Sequence, residues 1–186
     1  MASFRVPARG ILKKIALKDG RIAAVSFLSQ KDGAKELNDF INSLVSENAK
    51  IIYDRRVTLE EEKGWKKAKL SEFNKGESFI LVARVGGKIA GTSEARKGRF
   101  KEDENVSLGL AIAKPYRGIG LGEALLRANV ENARKAWRPR NMFLSVLANN
   151  RPAKSLYRKV GFRKFASFPK WVRHKGKFVD HEWMKL

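Results

Sequence analysis

A chain of 186 residues with 43% apolar content has the size and make-up of one folded domain. It holds no cysteine, which excludes disulfides, thiolate-held metals and an acyl-cysteine mechanism. Lysine and arginine number 40 against 19 acids, a formal net charge of +21, and no apolar run approaches the roughly 18 residues that span a bilayer.

The first ten residues carry basic side chains but no sustained apolar segment like a signal peptide, and read as a flexible or edge N-terminus. Ile11 to Leu17 and Ile22 to Leu28 are strand-like runs around Lys18-Asp19-Gly20, a hairpin signal. Leu37, Phe40, Ile41, Leu44 and Val45 repeat at helical spacing, with Ser29 or Asp32 as the expected cap. A second helix is expected from Thr58 to about Phe73, because Thr58 and Glu61 stand at capping-box spacing and Gly76 ends it. Ser78 to Val85 and Lys88 to Ala95 flank Gly86-Gly87, a second hairpin signal. The charged stretch 96–105 reads as exposed loop or frayed strand ends. Val106 to Ala113 is a further strand. A helix marked by Leu121, Ala124, Leu125 and Ala128 runs to about Trp137, where Pro139 stops it. A strand from Met142 to Ala148 and a short helix from Ala153 to Val160 follow. The chain closes with a hairpin, Phe162 to Trp171 and Lys177 to Met184, around Lys175-Gly176. There is no internal repeat and no long linker, so one domain over residues 1–186 is expected. Alternating strands and helices between terminal hairpins imply a mixed α/β sheet.

Chemistry concentrates at the junction after the strand that ends at Ala113. The turn Arg117-Gly118-Ile119-Gly120-Leu121-Gly122 leads straight into a helix. Glycines let backbone N–H groups approach a ligand, and a helix N-terminus offers orphan donors and partial positive charge. Together they form an anion site, most often for phosphate. A triphosphate-binding P-loop needs Gly-Lys-Ser or Gly-Lys-Thr at its end, and here the turn ends Gly122-Glu123-Ala124. A dinucleotide fingerprint needs a third glycine where Glu123 stands. A glycine-rich turn without a ligand is the alternative.

The remaining pattern, Arg-x-x-Gly-x-Gly, resembles the acetyl-CoA signature of the GCN5-related N-acetyltransferase (GNAT) superfamily. A second segment, Asn150-Arg151-Pro152-Ala153-Lys154-Ser155-Leu156-Tyr157-Arg158-Lys159-Val160-Gly161-Phe162, is similar to that family's Asn-x-x-Ala-x-x-Leu-Tyr-x-Lys-x-Gly-Phe. Asn150 also suits a helix N-cap, Pro152 the first turn and Gly161 the helix C-terminus. The likeness runs from about residue 10 to the C-terminus and is nearest to RimI- and RimL-like small acetyltransferases.

The resemblance implies a GNAT fold: a mostly antiparallel twisted sheet, splayed at a β-bulge strand, with about four helices. It implies an N-acetyltransferase that moves an acetyl group from acetyl-CoA to a primary amine, and the absence of cysteine is compatible with the cytoplasmic location expected for it. The donor would be held by N–H groups of Gly118, Ile119, Gly120, Leu121, Gly122 and Glu123, by Arg117, by the backbone of Leu110, Ala111 and Ile112, and by Asn150. Tyr157 would protonate the leaving thiolate. The positions where family members carry a glutamate base hold Val106, Ser107 and Ser145, so Glu94 is the favoured base, with His174 and His181 as alternatives by pKa. Two histidines alone do not make a metal site, and none is expected.

The charge is uneven: between Arg134 and Leu186 the only acids are Asp180 and Glu182. It fits a solvated surface, steering of anionic CoA, or a nucleic-acid or acidic partner. A non-catalytic module that binds nucleic acid is therefore the rival function, though no nucleic-acid motif is present. Trp171, Phe178 and Trp183 fit strand alternation and are expected in the core.

Overall fold

Glycine turns and alternating apolar residues form hairpins at both ends of the chain. The computed structural model describes residues 10–186, so all but the last residue of the expected N-terminal tail lies outside the described residues. The strands are β1 (Ile11–Ala16), β2 (Ile22–Phe27), β3 (Ser78–Val85), β4 (Lys88–Lys97), β5 (Asn105–Ile112), β6 (Asn141–Leu147), β7 (Arg163–His174) and β8 (Lys177–Lys185). The helices are α1 (Ala34–Ser46), α2 (Leu59–Asn74), α3 (Leu121–Trp137) and α4 (Arg151–Val160). The strands form one sheet in the order β1-β2-β3-β4-β5-β6-β8-β7. Every neighbouring pair is antiparallel except β5 and β6.

That parallel pair positions the site. β5 and β6 pair only from Asn105–Asn141 to Ser107–Phe143. Beyond Ser107 the strands separate, while β5 keeps a continuous register with β4 up to Ile112. The splay therefore lies between β5 and β6, and the nearest irregularity sits one strand away, where β4 shifts against β3 between Ala83 and Arg84.

Helices cover both faces of the sheet. Leu121, Leu125 and Leu126 of α3 are fully buried against Phe79, Leu81, Val106 and Leu108. Such side chains contribute roughly 1.5–3 kcal/mol each. Leu37, Phe40 and Leu44 of α1 and Leu70 of α2 pack on the other face, over Ile80 and Val82. α2 begins with the expected capping box of Thr58 and Glu61. The cap of α1 differs from expectation. Gly33 stands at the N-cap with no side-chain bond, because Asp32 accepts from Ser29 N–H at 2.7 Å and pairs with Arg84 at 2.7 Å. The charged stretch after residue 95 is more ordered than expected: β4 continues to Lys97 and a 3-10 turn, Phe100–Glu102, leads into β5.

The aromatic residues of the last hairpin also depart from expectation. Trp183 is half-buried, but Trp171 and Phe178 are both 66% exposed. β7 is the sheet's edge strand, and alternation assigns a face without telling whether anything covers it.

Candidate active site

The turn before α3 is built around two left-handed residues. Gly118 has φ +78° and Gly120, the α3 N-cap, has φ +89°. A Cβ at Gly118 would meet nothing within 4 Å, and one at Gly120 would meet only the Lys18 side chain. The space in front of these two residues is open, a cradle that side chains would fill. α3 has no side-chain cap. Six consecutive N–H groups, Gly118, Ile119, Gly120, Leu121, Gly122 and Glu123, find no acceptor among the described residues. Such orphan donors at a helix N-terminus attract an anion. Gly122 differs from its neighbours: a Cβ there would stand 2.8 Å from Leu156 Cδ1, so this glycine lets α3 approach α4.

Two charged side chains of the turn are engaged elsewhere. Glu123 bends along the helix to accept from Arg127 at 2.9 and 3.0 Å, which keeps its charge off the cradle. Arg117 donates through Nε to the Ile112 carbonyl at 2.9 Å and pairs with Glu47 at the end of α1. It is a strut between α1, β5 and the turn.

The splay opens a line of backbone groups beside the cradle. Asn105 accepts from Gly98 N–H and Ala113 donates to the Ala90 carbonyl, both toward β4. Alternation along an antiparallel strand then turns Leu108, Leu110 and Ile112 toward β6. Pairing with β6 has stopped there, so the N–H groups of Leu110 and Ile112 face the gap. Ala111 faces β4, opposite Thr92.

α4 borders the gap from one face. Asn150 caps it, accepting from Ala153 N–H at 3.4 Å, and Gly161 ends it at φ +115°. Tyr157 is 6% exposed and packs against Phe162 at 6.3 Å between ring centroids. Its hydroxyl has no hydrogen-bond partner among the described residues. Burial pushes the phenol up to about 12.

Glu94 lies on the opposite face. It stands across from Gly109 in β5, and its Oε1 accepts from Lys69 Nζ at 2.7 Å. Lys69 is nearly buried on α2 and also pairs with Glu72 at 3.1 Å. Oε2 of Glu94 has no partner among the described residues. Tyr157 and Glu94 thus sit on different sides of the sheet, and the splayed strand β5 runs between them. His181, paired in register with Leu147 of β6, is nearly buried, and desolvation lowers its pKa. His174 lies near the tip of the hairpin; desolvation first, then Lys175 and Lys50, lower its pKa.

Three contributions escaped sequence reasoning. Lys18, from the β1–β2 turn, donates its N–H to the Ile119 carbonyl at 3.1 Å, and its side chain runs past Gly120. Arg21 of the same turn bonds the Pro115 carbonyl at 3.1 Å and stacks over Tyr116 at 4.9 Å. Asn129 of α3 is fully buried and donates to Ser93 Oγ at 2.6 Å and to the Glu94 carbonyl at 2.8 Å. Ser93 in turn donates to the Gly109 carbonyl at 2.8 Å, which fixes β4 against β5 beside the splay. These contacts join residues between 16 and 102 positions apart, so no local spacing announces them.

The profile of the Acetyltransferase (GNAT) family matches residues 38–162, more than half of the chain. The chain belongs to the GNAT acetyltransferase family. An N-alpha-acetyltransferase of Sulfurisphaera tokodaii is 33% identical over 99 residues, 47% of this chain and 58% of that protein. This GNAT chain therefore spans little more than half the length of that curated relative. An acetyltransferase of the GNAT family from Streptococcus pneumoniae superposes with a TM-score of 0.77 at 28% identity, over 88% of this chain and 98% of its own. A Salmonella typhimurium structure with its cofactor acetyl-CoA gives 0.76 at 22% identity, over 88% and 92%, a likeness of fold. Among the described residues no helix is long and apolar enough to cross a membrane.

Proposed function

We propose that this GNAT protein transfers an acetyl group from acetyl-CoA to a primary amine, and that its 186 residues act as one cytoplasmic catalytic domain. The observation that carries this reading is the run of six unpartnered N–H groups at the start of α3, opening onto the gap between β5 and β6. A phosphate-rich donor with a long amide-bearing arm matches both features: anion donors for its phosphates, and a bare strand edge for its amides.

When bound, acetyl-CoA supplies the acetyl group as an activated thioester. The N–H groups of Gly118 to Glu123 would hold the phosphates, and Lys18, whose side chain passes Gly120, would add a positive charge there. The N–H groups of Leu110 and Ile112 would bind the amide-bearing arm, and one of them would stabilise developing negative charge on a carbonyl oxygen. Asn150 holds the N-terminus of α4 and thereby the position of Tyr157. Tyr157 keeps its proton on Oη at neutral pH and gives it to the departing thiolate. Glu94, through its open Oε2 and a bridging water, takes the proton that the amine loses. The amine must be neutral to attack. At pH 7 that costs roughly 4–5 kcal/mol for a lysine and only about 1 for an α-amine. An α-amine therefore asks least of a base that is already bonded to Lys69.

Calorimetric titration with acetyl-CoA tests the donor site. Binding by the native protein and its loss in Gly120→Trp, which melts at a lower temperature because of its left-handed φ but still in one cooperative transition, is the expected result. A native protein that releases no heat and is not stabilised by acetyl-CoA overturns the proposal. Thiol release across a panel of α-amines, lysine peptides and small amines then tests transfer. No thiol release with any of them would leave the non-catalytic reading standing.

A further inference from the structure

The last hairpin presents a feature that the acetyl-transfer chemistry does not use. Phe165, Phe168 and Trp171 of β7 are 55%, 37% and 66% exposed. Their rings are continuous: Phe168 lies 5.3 Å from Trp171 and 5.9 Å from Trp183, and Phe165 lies 6.4 Å from Trp183. Trp183 stacks on Phe143 of β6 at 5.4 Å with an interplanar angle of 6°. The result is a strip of five rings running from the sheet interior to its free edge.

The backbone holds this strip open. Two register shifts interrupt the β7–β8 ladder, one at Phe165 and one between Phe168 and Val172. In the second, Lys170 takes φ +52° and its N–H is held by Asp180 Oδ1 at 2.9 Å. Regular pairing would have continued the ladder; the bulge turns Trp171 outward instead. The surrounding charge has one sign. Lys170, Arg173, Lys175, Lys177 and Lys185 are exposed or near-exposed on the hairpin, and its two acids are engaged: Asp180 with the Lys170 N–H, Glu182 with Lys154 at 2.9 Å.

Flat exposed rings among cations, on a sheet surface, fit one kind of partner better than others. A second copy of this chain would set the same cations against each other across an isologous contact. An acidic peptide satisfies the charge but has little use for several open aromatic faces. Unpaired bases stack on aromatic rings while lysine and arginine neutralise the phosphates between them. We propose that the β7–β8 face binds single-stranded RNA, with Phe165, Phe168 and Trp171 as the stacking surface.

The proposal does not depend on acetyl transfer, so the two fail separately. The test is fluorescence anisotropy of a labelled 12-nucleotide oligo(U), read together with quenching of tryptophan emission. The native protein is expected to bind, with affinity falling linearly in log–log with salt. Trp171→Ala and Phe168→Ala are each expected to weaken binding by roughly tenfold, the scale of one stacked base. Trp171→Phe should retain most of the affinity, and Phe100→Ala, an exposed aromatic on the β4–β5 connection, should change nothing. Melting curves and acetyl-CoA titrations of the same variants should match the native protein. The proposal is overturned by absent binding, by binding that ignores both aromatic substitutions, by equal affinity for duplex RNA, by equally strong competition from polyglutamate, or by a dimer that Trp171→Ala dissolves.

Discussion

Tyr157 combines a ring in the core with a hydroxyl that has no hydrogen-bond partner among the described residues. Removing that oxygen therefore costs little stability, and Tyr157→Phe should fold with an almost unchanged midpoint. If Tyr157 is the acid, kcat should fall by about 10²–10⁴-fold with little change in the KM for acetyl-CoA. The pH dependence has a definite sign. Burial raises the phenol from about 10 to about 12, so its stabilising contribution is complete at neutral pH. It is lost as pH rises from about 10 toward 12, when the unfolded chain gains a phenolate that the fold resists. Urea midpoints at about pH 9 and pH 11 should converge in Tyr157→Phe relative to the native protein. Equal pH dependence in both would show that the hydroxyl is solvated. Glu94 calls for a different comparison. Glu94→Gln keeps a hydrogen bond for Lys69 but no base, whereas Lys69→Met removes the partner and leaves the carboxylate. If Glu94 acts as a base, Glu94→Gln should depress kcat/KM by about 10²-fold or more for a lysine acceptor. It should depress it far less for an α-amine, which needs less help at pH 7. Equal losses with both acceptors would assign Glu94 to structure.

Helix ends and strand edges were the most legible features, because their signals are local. The Thr58–Glu61 box, the Asn150 cap, the Gly161 terminus and the Gly86-Gly87 turn all formed where their residue types require. The Asp32 cap of α1 did not form, since Arg84, 52 positions away, claims that carboxylate. Gly122 looked like one of three equal glycines, yet its need is set by Leu156 across a helix contact. Arg117 looked like an anchor and is braced against Glu47, a partner 70 positions away. Patterns in the chain thus located the cradle, and tertiary partners divided the labour within it. These differences predict different costs at the two ends of the site. Gly120→Ala forces a Cβ into the left-handed region and should cost about 1–2 kcal/mol. Asn150→Ala should cost about 1 kcal/mol through the lost cap, and Asn150→Asp should recover it. Chemical denaturation of the three variants measures both. If Asn150 also touches the donor, Asn150→Asp will fold normally and still bind acetyl-CoA more weakly, since it places a charge near an anion.

At the scale of the molecule the net charge of +21 acts on folding and on binding with opposite signs. Folding gathers like charges that the unfolded chain holds further apart, so self-repulsion opposes the native state. The same surplus raises the local potential that an anionic donor meets on approach. Chloride salts screen both effects, because the screening length falls from roughly 10 Å at 0.1 M to about 3 Å at 1 M. The urea midpoint should therefore rise between 0.05 and 0.5 M NaCl, while the Kd for acetyl-CoA should weaken and its association rate should drop. Ion pairs such as Lys35–Asp39 and Lys135–Glu131 lie at the surface and lose strength in salt, but each contributes at most a few tenths of a kcal/mol. Their loss is too small to reverse the trend in stability. Lys18 separates the local part of the binding effect from the general one. If its charge acts on the donor directly, Lys18→Gln will weaken binding at every salt concentration. If only the general field matters, Lys18→Gln will lose no more than substitution of an exposed lysine far from the cradle, such as Lys67. Acetyl-CoA affinity that is indifferent to salt would mean that the six backbone N–H groups alone hold the phosphates, and that the positive surface serves another partner.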